Sequence, residues 1–130
     1  MDEQIRFYKS KLNFEIDPAD LNAALDQHEE IIVVDTRKSL AYQKEHIPGA
    51  INLPHAQMNE ESTSNWDRSK LYITYCDGIG CNASTRGALN LAQLGFKVKE
   101  LIGGIEWWKL DGYPVNGIIE STGKKIGCNC

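Results

Sequence analysis

The sequence predicts an α/β fold, a parallel sheet covered on both faces by helices. Three observations lead there. Ile31 to Val34 is a continuous apolar, β-branched run, the pattern of a strand buried on both faces. Further short apolar runs, 71–75 and 98–101, alternate with segments of helical spacing and are joined by short turns. Finally, 130 residues with 42% hydrophobic and 25% charged side chains suit one core, and no internal repeat, low-complexity tract or linker divides them.

Each element follows from local chemistry. Ile5, Tyr8 and Leu12, with Phe7 beside them, predict a short N-terminal helix over 1–14 lying on the core. Glu15-Ile16 is extended. Asp17 followed by Pro18 is a helix start, a capping carboxylate and then a proline whose missing N–H costs nothing there; Leu21, Ala24 and Leu25 form the apolar face. The strand 31–34 ends in Asp35 and Arg37, charged groups at the strand end where open α/β sheets build sites. "SLAYQKEH" is a short helix, and "IPGAINLP" a turn with a short strand over 50–53. From His55 to Lys70 the pattern is loop with helical turns. After the strand 71–75, residues 83–94 form a helix with Ala88, Leu91, Ala92 and Leu94 inward, stopped by Gly95. The strand 98–101 ends in paired glycines, and "IEWWKL" is a helix with at least one of Trp107 and Trp108 in the core. The chain divides into an N-terminal helical extension (1–14), one domain (15–116) and a tail (117–130).

Composition narrows the function. The net charge is −4 with no Lys or Arg run, so neither nucleic acid nor an anionic membrane is an expected partner. No apolar stretch is long enough to span a bilayer, and "MDEQIRFYKSKLNF" lacks a signal-peptide apolar region, which together point to the cytoplasm. The four cysteines, Cys76, Cys81, Cys128 and Cys130, are too few and clustered for a secreted disulfide framework. In a reducing compartment such thiols are catalytic, redox-active or metal-binding.

The stretch "ITYCDGIGCNASTRGA" concentrates the chemistry. Strand 71–75 delivers Cys76 to the carboxyl edge of the sheet, and the loop Asp77, Gly78, Ile79, Gly80, Cys81, Asn82 and Ala83 wraps toward the next helix. Gly78 and Gly80 permit positive φ, so successive amides can face one concavity, and the helix start adds partial positive charge. Such a cradle stabilises a thiolate and makes a nucleophile without a histidine base. A small buried hydrophobe at a strand end is the plainer alternative for Cys76.

"VVDTR…AYQKEHIPGAINLP", then "YC" at a strand end, then "LAQLGFKVKELIGGIEWWKLDGYPV" resembles the single-domain rhodanese-like sulfurtransferases over about residues 15–115. The resemblance implies a five-stranded parallel sheet flanked by helices. It also implies a catalytic cysteine, here Cys76, that carries sulfane sulfur as a persulfide between a small sulfur-containing donor and a thiol or protein acceptor, with no cofactor. The loop departs from the family: it is longer than usual, holds Asp77 and has no Lys or Arg before Arg86, which argues against thiosulfate as donor. Asn82 stands where related phosphatases place an arginine, and Arg86, on the first turn of the helix, substitutes only in part.

The remaining candidates have paired readings. Cys81 either resolves a persulfide or sulfenic acid on Cys76 through an intraloop disulfide, or is a neutral loop residue. Joining Cys76 and Cys81 to Cys128 and Cys130 as metal ligands does not give a common zinc spacing, and no metal is expected. Asp35 and Arg37 are expected to brace the loop as an ion pair, with Arg37 either structural or holding a substrate anion. His46 is expected to fix a turn rather than act as a base. Asp77 raises the Cys76 pKa unless it faces away. Three functions stay open: a sulfurtransferase, a non-catalytic rhodanese-like binding module, and a Cys76–Cys81 redox switch. The donor, the acceptor and the oligomeric state are also open.

Overall fold

The computed structural model describes residues 1–27 and 29–118. Asp17 caps its helix through its side chain, accepting from Asp20 N at 2.8 Å, with Pro18 in the first turn. In chain order the elements are α1 (Asp2–Phe14), β1 (Glu15–Ile16), α2 (Pro18–Asp26), β2 (Ile31–Asp35), α3 (Ser39–Lys44), β3 (Ile51–Asn52), a 3-10 turn (His55–Gln57), β4 (Leu71–Tyr75), α4 (Ala83–Gln93), β5 (Lys97–Leu101) and α5 (Gly104–Leu110). Five strands pair in the order β1-β5-β4-β2-β3, all parallel. Central β2 and β4 run in full register from Ile31 opposite Leu71 to Asp35 opposite Tyr75.

Alternation along the central strands divides the core. Val33, Ile73 and Tyr75 face one layer with Leu21 of α2 and Ile105 and Trp108 of α5. Val34 and Tyr72 face the other, with Leu91 of α4, Met58 and Phe96. The strand order reverses between β2 and β4. From β2 the chain passes through α3 to β3 on one side; from β4 it passes through α4 to β5 on the other. The loops after β2 and β4 therefore diverge and leave a crevice at the carboxyl ends of two adjacent strands.

Two packing expectations need correction. The helix α1 does not lie on the core: none of its residues is buried, and Ile5, Phe7, Tyr8, Leu12 and Phe14 are all exposed. It touches β1 and β5 and leaves a groove of about 740 Å³ against α4 and β5, lined by Phe7, Phe14, Leu89, Phe96 and Val98. In α4 the inward face is Ala83, Ser84, Gly87 and Leu91, while Ala88 is half-buried and Ala92 exposed. Gly87 sets that face, because a β-carbon there would stand 2.7 Å from Thr36 Cγ2. Close approach of helix to sheet outweighs the count of apolar residues.

Candidate active site

Asp35, Thr36 and Arg37 leave β2 beside Cys76 and Asp77, which leave β4. Thr36 ties the two ends together: its amide and its hydroxyl both donate to Tyr75 O, at 3.0 and 2.7 Å. Asp35 and Arg37 form an ion pair with both side chains almost wholly buried. Arg37 donates from Nε and Nη2 to Asp35, from Nη2 to Glu45 O at 2.6 Å, and from Nη1 to Asp77 Oδ1 at 3.0 Å. Burial pulls the guanidinium toward neutrality, but the hydrogen bonds and charge of Asp35 outweigh it, so Arg37 holds its proton more tightly than an ordinary arginine. At 1% exposure, Arg37 lies buried under the loop, tied to Asp35, Glu45 O and Asp77. Asp77 faces Arg37, and the guanidinium offsets its charge beside Cys76.

Cys76 is 1% exposed and is joined by a disulfide to Cys81, with Cα atoms 6.4 Å apart. The loop between them turns at Gly80, whose φ of +94° suits glycine, and Cys81 N donates to Gly78 O at 3.2 Å. Gly78 has a different role from the one expected: its φ is not positive. A β-carbon there would stand 2.9 Å from Glu106 Oε2 and 3.2 Å from Glu106 Cβ, so Gly78 lets the loop pass close under α5.

The start of α5 clamps the loop from above. Ile105 N donates to Cys76 O at 3.0 Å and Glu106 N to Asp77 O at 2.8 Å. Gly104, at φ +62°, lies so close that a β-carbon would collide with the Cys76 carbonyl. Of the paired glycines after β5, Gly104 is the one that lies against the loop, while a β-carbon on Gly103 would meet Trp107 of the same helix. Sequence reasoning read them only as a strand end; the signal was their place in a motif already singled out.

A second residue that sequence reasoning missed is Tyr75. Its hydroxyl donates to Asp35 Oδ2 at 2.8 Å and accepts from Ile47 N at 3.1 Å. Burial, then the charge of Asp35, pushes its phenol well above the usual value of 10. Its position as the last residue of a buried strand reads as core, and nothing in the sequence marks the hydrogen bonds.

At the far end of the loop, Thr74 Oγ1 donates to Ser84 O at 3.0 Å and ties the first turn of α4 to the strand beside Cys76. Asn82 makes no side-chain cap; its Oδ1 accepts from Arg86 Nε at 3.2 Å. The first amides of α4 are therefore not consumed by that side chain, as suits a helix end offering donors to an anion. Arg86 is exposed on that first turn. His46 fixes a turn: Nδ1 lies 2.8 Å from Tyr42 O, and its backbone pairs with Asn116. Cys128 and Cys130 lie outside the described residues, and among those described no cluster of His, Cys, Asp and Glu is arranged to hold a metal ion. No helix among the described residues is long and apolar enough to cross a membrane.

Set beside known proteins, the chain matches the rhodanese-like domain over residues 17–111. The thiosulfate sulfurtransferase GlpE of Coxiella burnetii is 39% identical over 82 residues, covering 62% of this chain and 73% of that protein. The HTH-type transcriptional regulator Rv0324 of Mycobacterium tuberculosis is 36% identical over 90 residues, 67% of this chain, and the match spans only 38% of the regulator. Among solved structures, the BH2092 protein of Bacillus halodurans is similar with a TM-score of 0.84 at 47% identity, covering 89% of this chain and 85% of that one.

Proposed function

From the premise that the chain belongs to the rhodanese-like family, we propose that it is a cytoplasmic sulfurtransferase working through a persulfide on Cys76. In the reduced protein the Cys76 thiolate attacks the outer sulfur of a sulfane donor. The donor S–S bond breaks, the donor's remaining thiolate leaves with the electron pair, and Cys76 carries the extra sulfur. An acceptor thiolate then attacks that terminal sulfur and Cys76 leaves as thiolate. Loop amides between Asp77 and Ala83, other than that of Cys81, which donates to Gly78 O, and the start of α4 stabilise the anion in both states. The observation that carries the reading is the pinning of Cys76, on the strand side by β4 and on the other by α5, at the crevice where the strand order reverses.

The loop favours an organic persulfide or polysulfide over thiosulfate. Arg37 is committed to Asp35 and Asp77, and the Glu106 carboxylate lies against Gly78. Neither arrangement suits a dianion. Intact-mass measurement with peptide mapping tests this. Reduced protein incubated with cysteine persulfide or polysulfide and quenched early is expected to gain one sulfur atom on Cys76, absent in Cys76→Ser, and to gain less from thiosulfate. No gain with any donor would leave a binding module. A second reading, a thiol redox switch, is favoured by the Cys76–Cys81 disulfide; it predicts that a mild oxidant alone forms this bond and changes the binding of a partner, with no sulfur carried.

A further inference from the structure

We propose that the loaded protein discharges its sulfur internally, releasing it as hydrogen sulfide while Cys76 and Cys81 form their disulfide. This makes the chain a sulfane-sulfur reductase as well as a carrier, and it rests on the sulfurtransferase reading. The loop holds Cys76 and Cys81 bonded to each other at a Cα separation of 6.4 Å, inside the range of about 4.4–6.8 Å at which two cysteines bridge without backbone movement. The turn at Gly80, closed by the Cys81 N to Gly78 O bond, brings them together. Cys81 Sγ therefore reaches Cys76 Sγ, the inner sulfur of a Cys76 persulfide.

The step balances. The Cys81 thiolate attacks Cys76 Sγ, the Sγ–Sγ bond forms, and the bond from Cys76 Sγ to the carried sulfur breaks. Hydrosulfide leaves with the electron pair and takes up the proton that Cys81 lost to solvent. The carried sulfur is reduced to sulfide, and the two cysteine sulfurs are oxidised to the disulfide. An external acceptor must diffuse to the terminal sulfur, whereas Cys81 is already held beside the inner one.

Resetting the protein needs a dithiol reductant of the thioredoxin class, and burial sets its direction of attack. Cys76 is 1% exposed, while Cys81 is half-buried. The reductant meets Cys81, forms a mixed disulfide there, and expels Cys76 as the thiolate ready for the next donor. A second thiol of the reductant then frees Cys81.

The test uses the full chain, reduced and freed of small thiols, with one equivalent of cysteine persulfide. Sulfide is trapped with a bimane reagent and corrected for a protein-free control. Wild type is expected to release one equivalent of sulfide per chain and to end with a Cys76–Cys81 disulfide. Both Cys81→Ser and Cys81→Ala are expected to trap one extra sulfur on Cys76 and to release sulfide at least ~10-fold more slowly. With excess cysteine persulfide, a dithiol reductant should turn the wild-type burst into continuous release, faster than that of Cys76→Ser under the same conditions. Sulfide release by both Cys81 variants at the wild-type rate, or a stable wild-type persulfide with no disulfide, would overturn the proposal. Failure of the underlying reading looks different: no variant with Cys76 intact would carry sulfur there.

Discussion

The two halves of the loop after β4 are held very differently. Cys76 to Gly78 is gripped on every side: α5 amides on the Cys76 and Asp77 carbonyls, the Arg37 guanidinium on the Asp77 carboxylate, and Glu106 against Gly78. From Ile79 to Asn82 the chain is open. Ile79 is 81% exposed, Gly80 has nothing within 4 Å of where a β-carbon would stand, and Cys81 is half-buried. A nucleophile must stay at a fixed point relative to its stabilising amides, whereas a resolving thiol must meet both that nucleophile and an outside reductant. The gripped half suits the first task and the open half the second.

The comparison breaks hardest at Arg37. Arg37→Met leaves Asp35 buried without its cation and removes the tie to Asp77. It is expected to cost about 3–5 kcal/mol in denaturant unfolding, and to slow sulfur loading of whatever fraction stays folded. Gly104→Ala comes next. A left-handed alanine costs about 1–3 kcal/mol, and its β-carbon also pushes against the Cys76 carbonyl. Loading on Cys76 should therefore fall more than a global loss of stability explains.

Tyr75 gives a prediction in pH. Its phenol stays neutral in the folded protein well above pH 10 but ionises near 10 once unfolded, so above that pH the folded state binds more protons than the unfolded one. Stability is then fully present below pH ~10 and falls as pH rises beyond it. Tyr75→Phe should flatten part of that fall in a series of unfolding curves. Tyr72, also raised by burial, keeps the rest. At neutral pH the same substitution should cost about 2 kcal/mol through the lost bonds to Asp35 and from Ile47 N. Ile79→Ala, in the open half, should change stability by no more than about 0.5 kcal/mol; a larger loss would mean that half is packed after all.

The sequence made the sheet and its helices legible because those depend on local patterns: the apolar run 31–34, the Asp17-Pro18 start, and Gly95 at φ +93° after α4. It marked Cys76 through its place between strand and helix. What it did not show depends on distances between segments far apart in the chain. Gly104 lies 28 residues beyond Cys76 and Tyr75 lies 40 beyond Asp35, and no local pattern reports a carbonyl too close for a β-carbon or a phenol spanning two strands. The same limit misled the reading of α1. Ile5, Tyr8 and Leu12 have helical spacing, but spacing does not say how closely a surface lies opposite, and none of the helix's residues is buried.

The division of labour within the loop is tested most directly by following one sulfur atom through time. Reduced protein is mixed with one equivalent of cysteine persulfide, quenched with an alkylating agent at successive times, and mapped by peptide mass. The extra sulfur should appear first on Cys76 and then decline as the Cys76–Cys81 disulfide grows in its place. An extra sulfur that appears first on Cys81, or a disulfide that forms with no earlier persulfide on Cys76, would contradict the account.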